Sequence, residues 1–212
     1  GGSGGQVIVL KKREGLGEEA GLQLRAAGPH GLCAWKTSRR VRRKADPMRV
    51  GMAGLAALYW PVALGRGLQG REGVAFVAAA TLGIEPATIR DTLGMPAEEY
   101  AARFGVRLYE QAEEMVEREQ MDTVVLIARH TEHAAWAERL ATLRVNLFIP
   151  KTFATTMEDA ERIVAAGRRN GVKVAVGPSA RFLPPMMGAH GALQRGTIGA
   201  PFSLRICHHH GT

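Results

Sequence analysis

The sequence predicts an α/β fold: a doubly wound parallel sheet with helices on both faces. Three observations carry that reading. From Met48 onward, short Val/Ile/Leu/Ala runs alternate with amphipathic stretches, as in successive βαβ units. Several of these runs are apolar almost without interruption, as expected of strands covered on both faces. Hydrophobic residues make up 46% of the 212 and charged residues 23%, a globular composition.

Taken in order, a first strand at 49–53 leads into a helix over 57–68. Pro61 falls in that helix's first turn, where its missing N–H costs least. A second strand at 74–80 precedes helices at 86–93 and 97–104. The third strand, 106–108, is followed by a helix over 110–119 whose glutamates read as a solvated face. A fourth strand at 123–128 and a helix at 132–143 come next, then a fifth strand at 145–149. The helix over 157–170 has a capping box in Thr155 and Glu158 and a stop in Asn170-Gly171. A sixth strand at 172–176 and a helix at 184–195 complete the pattern. Trp60 and Trp136 read as helix–sheet packing residues. Such units wind into a Rossmann-like sheet, whose ligand crevice lies outside the carboxyl ends of the strands.

Charge and cysteine content bound the partners. The net charge is +8, but residues 1–47 hold ten lysines and arginines against four acids, leaving only +2 on the rest. The basicity belongs to a leading segment with Gly-Gly-Ser-Gly-Gly at its start and Arg39-Arg40-Val41-Arg42-Arg43-Lys44 near its end. That segment is expected to be a disordered extension, and no nucleic-acid partner is expected. The apolar run over 50–64 is broken by Gly and Pro and is shorter than the about 20 residues of a membrane span, so no membrane is expected. Two cysteines make no disulfide framework, which favours a reducing, cytoplasmic setting. The alternative is twin-arginine export to the periplasm on Arg39-Arg40, at the cost of the first strand. In Cys207-His208-His209-His210 only His208 and His210 share a strand face, and no second ligand cluster exists, so no metal is expected.

The crevice rule selects the loops that would hold cofactor and substrate. They are Gly54, Leu55, Ala56, Ala57, Leu58 and Tyr59 after the first strand, and Thr81 after the second. After the fourth come Ala128, Arg129 and His130, running on to His133. After the fifth come Pro150 and Lys151, and after the sixth the turn that carries Arg181.

At these loops the sequence resembles the glucose–fructose oxidoreductase and inositol dehydrogenase family (Gfo/Idh/MocA). Met48-Arg-Val-Gly-Met-Ala-Gly54 is similar to its opening strand and first fingerprint glycine, and 122–128 to its fourth strand. His133 with Ala134, Trp136 and Ala137 resembles its His-containing helix. Phe148-Ile149-Pro150-Lys151 sits where the family has Glu-Lys-Pro. Ala180-Arg181-Phe182-Leu183-Pro184 resembles its Arg-Phe-x-Pro turn, and Gly196-Thr-Ile-Gly199 its entry into a second domain.

The resemblance implies an NAD- or NADP-dependent oxidoreductase acting on a sugar, polyol or related hydroxyl compound. It implies a dinucleotide-binding domain over 48–195 and the first strand of an incomplete α/β substrate domain over 196–212, and a full-length form that is a homo-oligomer. Lys151 and His133 are the implied catalytic residues, and Lys151 and Arg181 the implied substrate contacts. Three departures stand out. Only Gly54 of the Gly-x-Gly-x-x-Gly fingerprint survives, with Ala56 and Tyr59 at the other two places. The second strand ends in Ala80-Thr81 without the acid that would hold a ribose. Lys151 lacks both of its usual flanks. These departures keep a second reading open, a Rossmann-like nucleotide-binding or regulatory module without catalysis.

Overall fold

The computed structural model describes residues 46–197 and 199–200. Residues 1–45 of the basic extension expected over 1–47, residues 198 and 201–212 of the second-domain start expected over 196–212, and with them the Cys207–His210 cluster, lie outside these. The elements are β1 (Met48–Ala53), α1 (Trp60–Leu68), β2 (Val74–Ala80), α2 (Pro86–Leu93), α3 (Ala97–Phe104), β3 (Arg107–Tyr109) and α4 (Ala112–Glu119). They continue with β4 (Thr123–Leu126), α5 (His133–Thr142), β5 (Asn146–Pro150), α6 (Met157–Asn170), β6 (Val174–Gly177) and α7 (Pro184–Gln194). All six strands are parallel, in the order β3-β2-β1-β4-β5-β6.

Side-chain alternation along each strand sorts the core into two layers. Val50, Met52, Ala79, Val125 and Ile127 pack with Ile89, Tyr100 and Phe104 from α2 and α3. Ala53, Ala78, Ala80, Val124, Leu126 and Leu147 pack with Met115 of α4, Leu140 of α5 and Ile163 of α6. Both faces are therefore covered, which is why the strand sequences are apolar nearly throughout.

Boundaries shift where a tertiary bond overrides local pattern. The helix expected from Ala57 begins at Trp60, because the Ala57 N–H turns back to the Leu55 carbonyl at 2.8 Å and Pro61 sets the first turn. The strand expected from Val172 begins at Val174, because the Val172 N–H still closes α6 on Gly167 O. The cap of α6 is Thr156, whose hydroxyl oxygen accepts from the Asp159 N–H at 3.1 Å. The expected Thr155–Glu158 box is thus out by one residue. Asp159 is well placed for this because its carboxylate also receives the Thr156 hydroxyl and Arg162.

Candidate functional site

The strand order reverses between β1 and β4, and their carboxyl ends frame the crevice. Gly54 closes β1 with its N–H on Ala80 O at 2.9 Å and a φ of +101°. A Cβ there would stand 1.8 Å from the Ile127 carbonyl oxygen, so no other residue fits. The chain then turns into α1. Leu55 sinks its side chain into the core and has only main-chain groups to offer a ligand. Ala56 and Ala57 are half-buried, whereas Leu58 is 73% and Tyr59 56% exposed, with Tyr59 stacked on Trp60. The N–H groups of Leu58, Tyr59 and Trp60 meet no acceptor among the described residues. Neither exposed side chain fills the turn, and these donors at a helix N-terminus suit a diphosphate.

Tyr59, in the third fingerprint place, does not intrude on the turn, because its ring lies outward. The close approach of α1 is made by Gly65 instead. A Cβ at Gly65 would come within 2.9 Å of the Tyr100 hydroxyl and the Phe104 ring. The Tyr100 hydroxyl donates to Pro61 O at 2.9 Å, pinning α1 to α3. Burial pushes the Tyr100 phenol well above its ordinary range.

After β2, Thr81 is half-buried and its N–H donates to Tyr109 O, while Leu82 and Gly83 both adopt left-handed backbone. The first acid, Glu85, is exposed at the N-cap of α2. Across the crevice, Ala128 is half-buried, and Arg129 and His130 are exposed ahead of a short 3-10 turn. His133 is only 2% exposed. Its Nδ1 lies 3.0 Å from Phe153 O and its Nε2 3.1 Å from Ala128 O. The ring thus braces the β4 loop against the segment after β5, and touching a nicotinamide would require giving up one of these contacts.

Pro150, buried, ends β5 opposite Gly177 of β6, so the chain segments carrying Lys151 and Arg181 leave the sheet side by side. Lys151 is exposed. Arg181 is exposed in the 3-10 turn Ser179–Phe182 and has no ion-pair partner among the described residues. The expected residues therefore gather at one end of the sheet, in two groups: a backbone cradle at β1 and side-chain cations after β4, β5 and β6.

One wall of the crevice was not anticipated. Trp136 and Arg139 line a cavity of about 470 Å³ with Leu82, Gly83 and Arg129. The Arg139 guanidinium lies 4.2 Å over the Trp136 ring. The signal was in the spacing: Glu132, Trp136 and Arg139 fall at i, i+4 and i+7 and so share one helix face.

Strand order, glycine turn and open helix start together define a dinucleotide-binding Rossmann domain. Residues 49–178 match the family model described as an oxidoreductase family with an NAD-binding Rossmann fold, and the chain belongs to that family, Gfo/Idh/MocA. It is 36% identical over 104 residues to a D-apiose dehydrogenase of Paraburkholderia graminis, a stretch covering 49% of this chain and 28% of that protein. Among solved structures, it resembles an oxidoreductase from Agrobacterium radiobacter in complex with NAD+, L-tartaric acid and magnesium. There the TM-score is 0.63 and identity 20%, over 73% of this chain and 42% of the other. It also resembles a 3-ketoreductase from Actinomadura kijaniata in complex with NADP, with TM-score 0.60 and identity 23%, over 73% and 46% of the two chains. The chain thus spans less than half the length of each of these relatives.

Proposed function

We infer that this chain supplies the cofactor-binding part of an NAD(P)-dependent oxidoreductase acting on a sugar, polyol or related hydroxyl compound. The observation that carries the reading is the turn at Gly54, where N–H groups at the start of α1, unpaired among the described residues, stand clear of the outward Leu58 and Tyr59. Membership of the family and the likeness to a sugar dehydrogenase support the reaction class.

The bound nicotinamide supplies the hydride chemistry; the protein orients and polarises. Lys151, an exposed cation just beyond β5, is suited to hold a substrate hydroxyl or carbonyl oxygen by hydrogen bonding and charge. Arg181 stands on the neighbouring segment as a second contact to an oxygen-rich or anionic substrate. His133 serves as a brace that sets the β4 loop rather than as an acid or base.

The test is calorimetric titration of the 212-residue chain with NAD+ and NADP+. Saturable binding of at least one is expected, and its weakening by Leu58→Asp, which puts a carboxylate at an exposed position beside the start of α1, would tie it to the β1 turn. Absence of saturable binding of either nucleotide defeats the reading.

A further inference from the structure

We propose that this chain selects NADP, and that Arg129, reaching from the β4 loop across the crevice, is the residue that holds the 2′-phosphate. The proposal rests on the dinucleotide reading above and goes beyond it to phosphate preference.

A carboxylate at the end of β2 would accept a ribose hydroxyl and repel a phosphate there. Here β2 ends in Ala80-Thr81, whose side chains carry no charge. Three main-chain donors of the following turn are also already committed. Thr81 N–H donates to Tyr109 O at 2.9 Å, Gly83 N–H to Glu110 O at 3.2 Å and Ile84 N–H to Thr81 O at 3.3 Å. Of this turn's N–H groups only those of Leu82 and Glu85 lack an acceptor among the described residues, so a 2′-phosphate here depends mainly on side chains.

Two cations face the β2 turn across the 470 Å³ cavity, Arg129 and Arg139. Arg139 is engaged, by an ion pair with Glu113 at 2.5 Å and by stacking on Trp136. Among the described residues Arg129 is held only by Glu132 at 3.5 Å, with 72% of its side chain exposed. So long and open an ion pair contributes little, and a doubly charged phosphate displaces the carboxylate readily. The planar guanidinium then offers two parallel N–H donors to phosphate oxygens.

Two acids line this cavity and oppose the phosphate, Glu132, which it must displace from Arg129, and Glu85. Glu85 borders the same cavity, exposed and without a side-chain partner among the described residues. It is the natural rival, as the group that would bind ribose hydroxyls if NAD were the cofactor. The two assignments predict opposite effects of neutralising it.

The experiment measures dissociation constants of NADP+ and NAD+ for the wild-type chain and for Arg129→Ala, Arg129→Lys and Glu85→Gln. The expected result is a wild-type preference for NADP+ of about tenfold or more, the scale of one charge-assisted phosphate contact. Arg129→Ala should abolish that preference while leaving NAD+ within about twofold, Arg129→Lys should keep part of it, and Glu85→Gln should tighten NADP+ alone. Equal or tighter NAD+ binding by the wild type, equal loss of both nucleotides in Arg129→Ala, or weakened NAD+ binding in Glu85→Gln would each overturn the assignment. Saturable binding of neither nucleotide would instead defeat the dinucleotide reading itself, and the proposal with it.

Discussion

The two edges of the sheet treat polar groups in opposite ways. At the amino edge, Glu119 is 2% exposed yet fully engaged, receiving Arg49 on one oxygen at 2.9 Å together with Arg107, and the Tyr109 hydroxyl on the other. The Arg49 N–H donates to Asp122, and Asn146 donates to Asp122 O while accepting from Lys173 N–H. These contacts tie β1, β3, β4, β5 and β6 together. At the carboxyl edge the pattern reverses: Lys151 and Arg181 stand exposed, Arg129 is weakly held, and the N–H groups of residues 58–60 are unpaired among the described residues. Polar groups at one edge hold the sheet; those at the other are left for something the fold does not contain. That asymmetry is what a ligand site looks like before any ligand is considered.

Gly54→Ala should break the comparison most severely, because it strikes the one place where the carboxyl edge is itself structural. The new methyl would overlap the Ile127 carbonyl at 1.8 Å in a left-handed backbone, and both obstacles are main chain, which cannot rotate away. A loss of more than about 3 kcal/mol in urea unfolding is expected, with loss of nucleotide binding in any variant that still folds. Wild-type stability in this variant would mean that the β1 turn is not held between β2 and β4 as described.

Glu119→Ala should be the next largest effect and of a different kind. It leaves the Arg49 guanidinium, half-buried, without its carboxylate, at a cost of about 2–4 kcal/mol. Nucleotide affinity, by contrast, should stay within about twofold, since the change is confined to the opposite edge. A large affinity loss with stability intact would erase the distinction between the edges. The same carboxylate, with desolvation first among the causes, raises the Tyr109 phenol above its usual 10.0. A group shifted upward lends stability below its unfolded pKa and loses it as pH rises through the folded one. The Tyr109 contribution should therefore fade only in alkali.

How much of this was legible in the sequence follows the same division. Where one period and one stop signal decide an element, the reading is right to the residue, as at Val74–Ala80, Pro86–Leu93, Ala97–Phe104 and Met157–Asn170. Where a long-range bond decides, it is not: α1 starts three residues late because the β1 turn uses Ala57, and β4 stops at Leu126. The loops selected by the carboxyl-end rule do gather at one end of the sheet, because the βαβ alternation fixes the direction of every strand. The role of His133 did not, because one of its two partners is a carbonyl twenty residues further on, and a helix-opening histidine looks the same with or without it. Arg129 was visible as a loop residue, but that it faces the β2 turn is a property of the folded crevice.

The smallest expected effect comes from a pair on neither edge. Arg162 of α6 donates to both oxygens of Glu138 on α5, at 3.3 and 2.7 Å, and this bonding holds the Glu138 carboxyl below its usual 4.5 against a smaller opposing effect of desolvation. A group shifted downward lends stability above its unfolded pKa and loses it as pH falls through the folded one. The wild type should therefore exceed Glu138→Gln in stability at neutral pH, and the gap should close below about pH 4.5, the ordinary carboxyl value. Both side chains are more than 30% exposed, so the gap should be well below the Glu119 effect and should shrink further in salt. Thermal melts at pH 7 and pH 3 measure it. If Glu138→Gln cost as much as Glu119→Ala, exposure would not be what separates the two carboxylates. The contrast between a sheet edge sealed by buried charge and one left open would then need another cause.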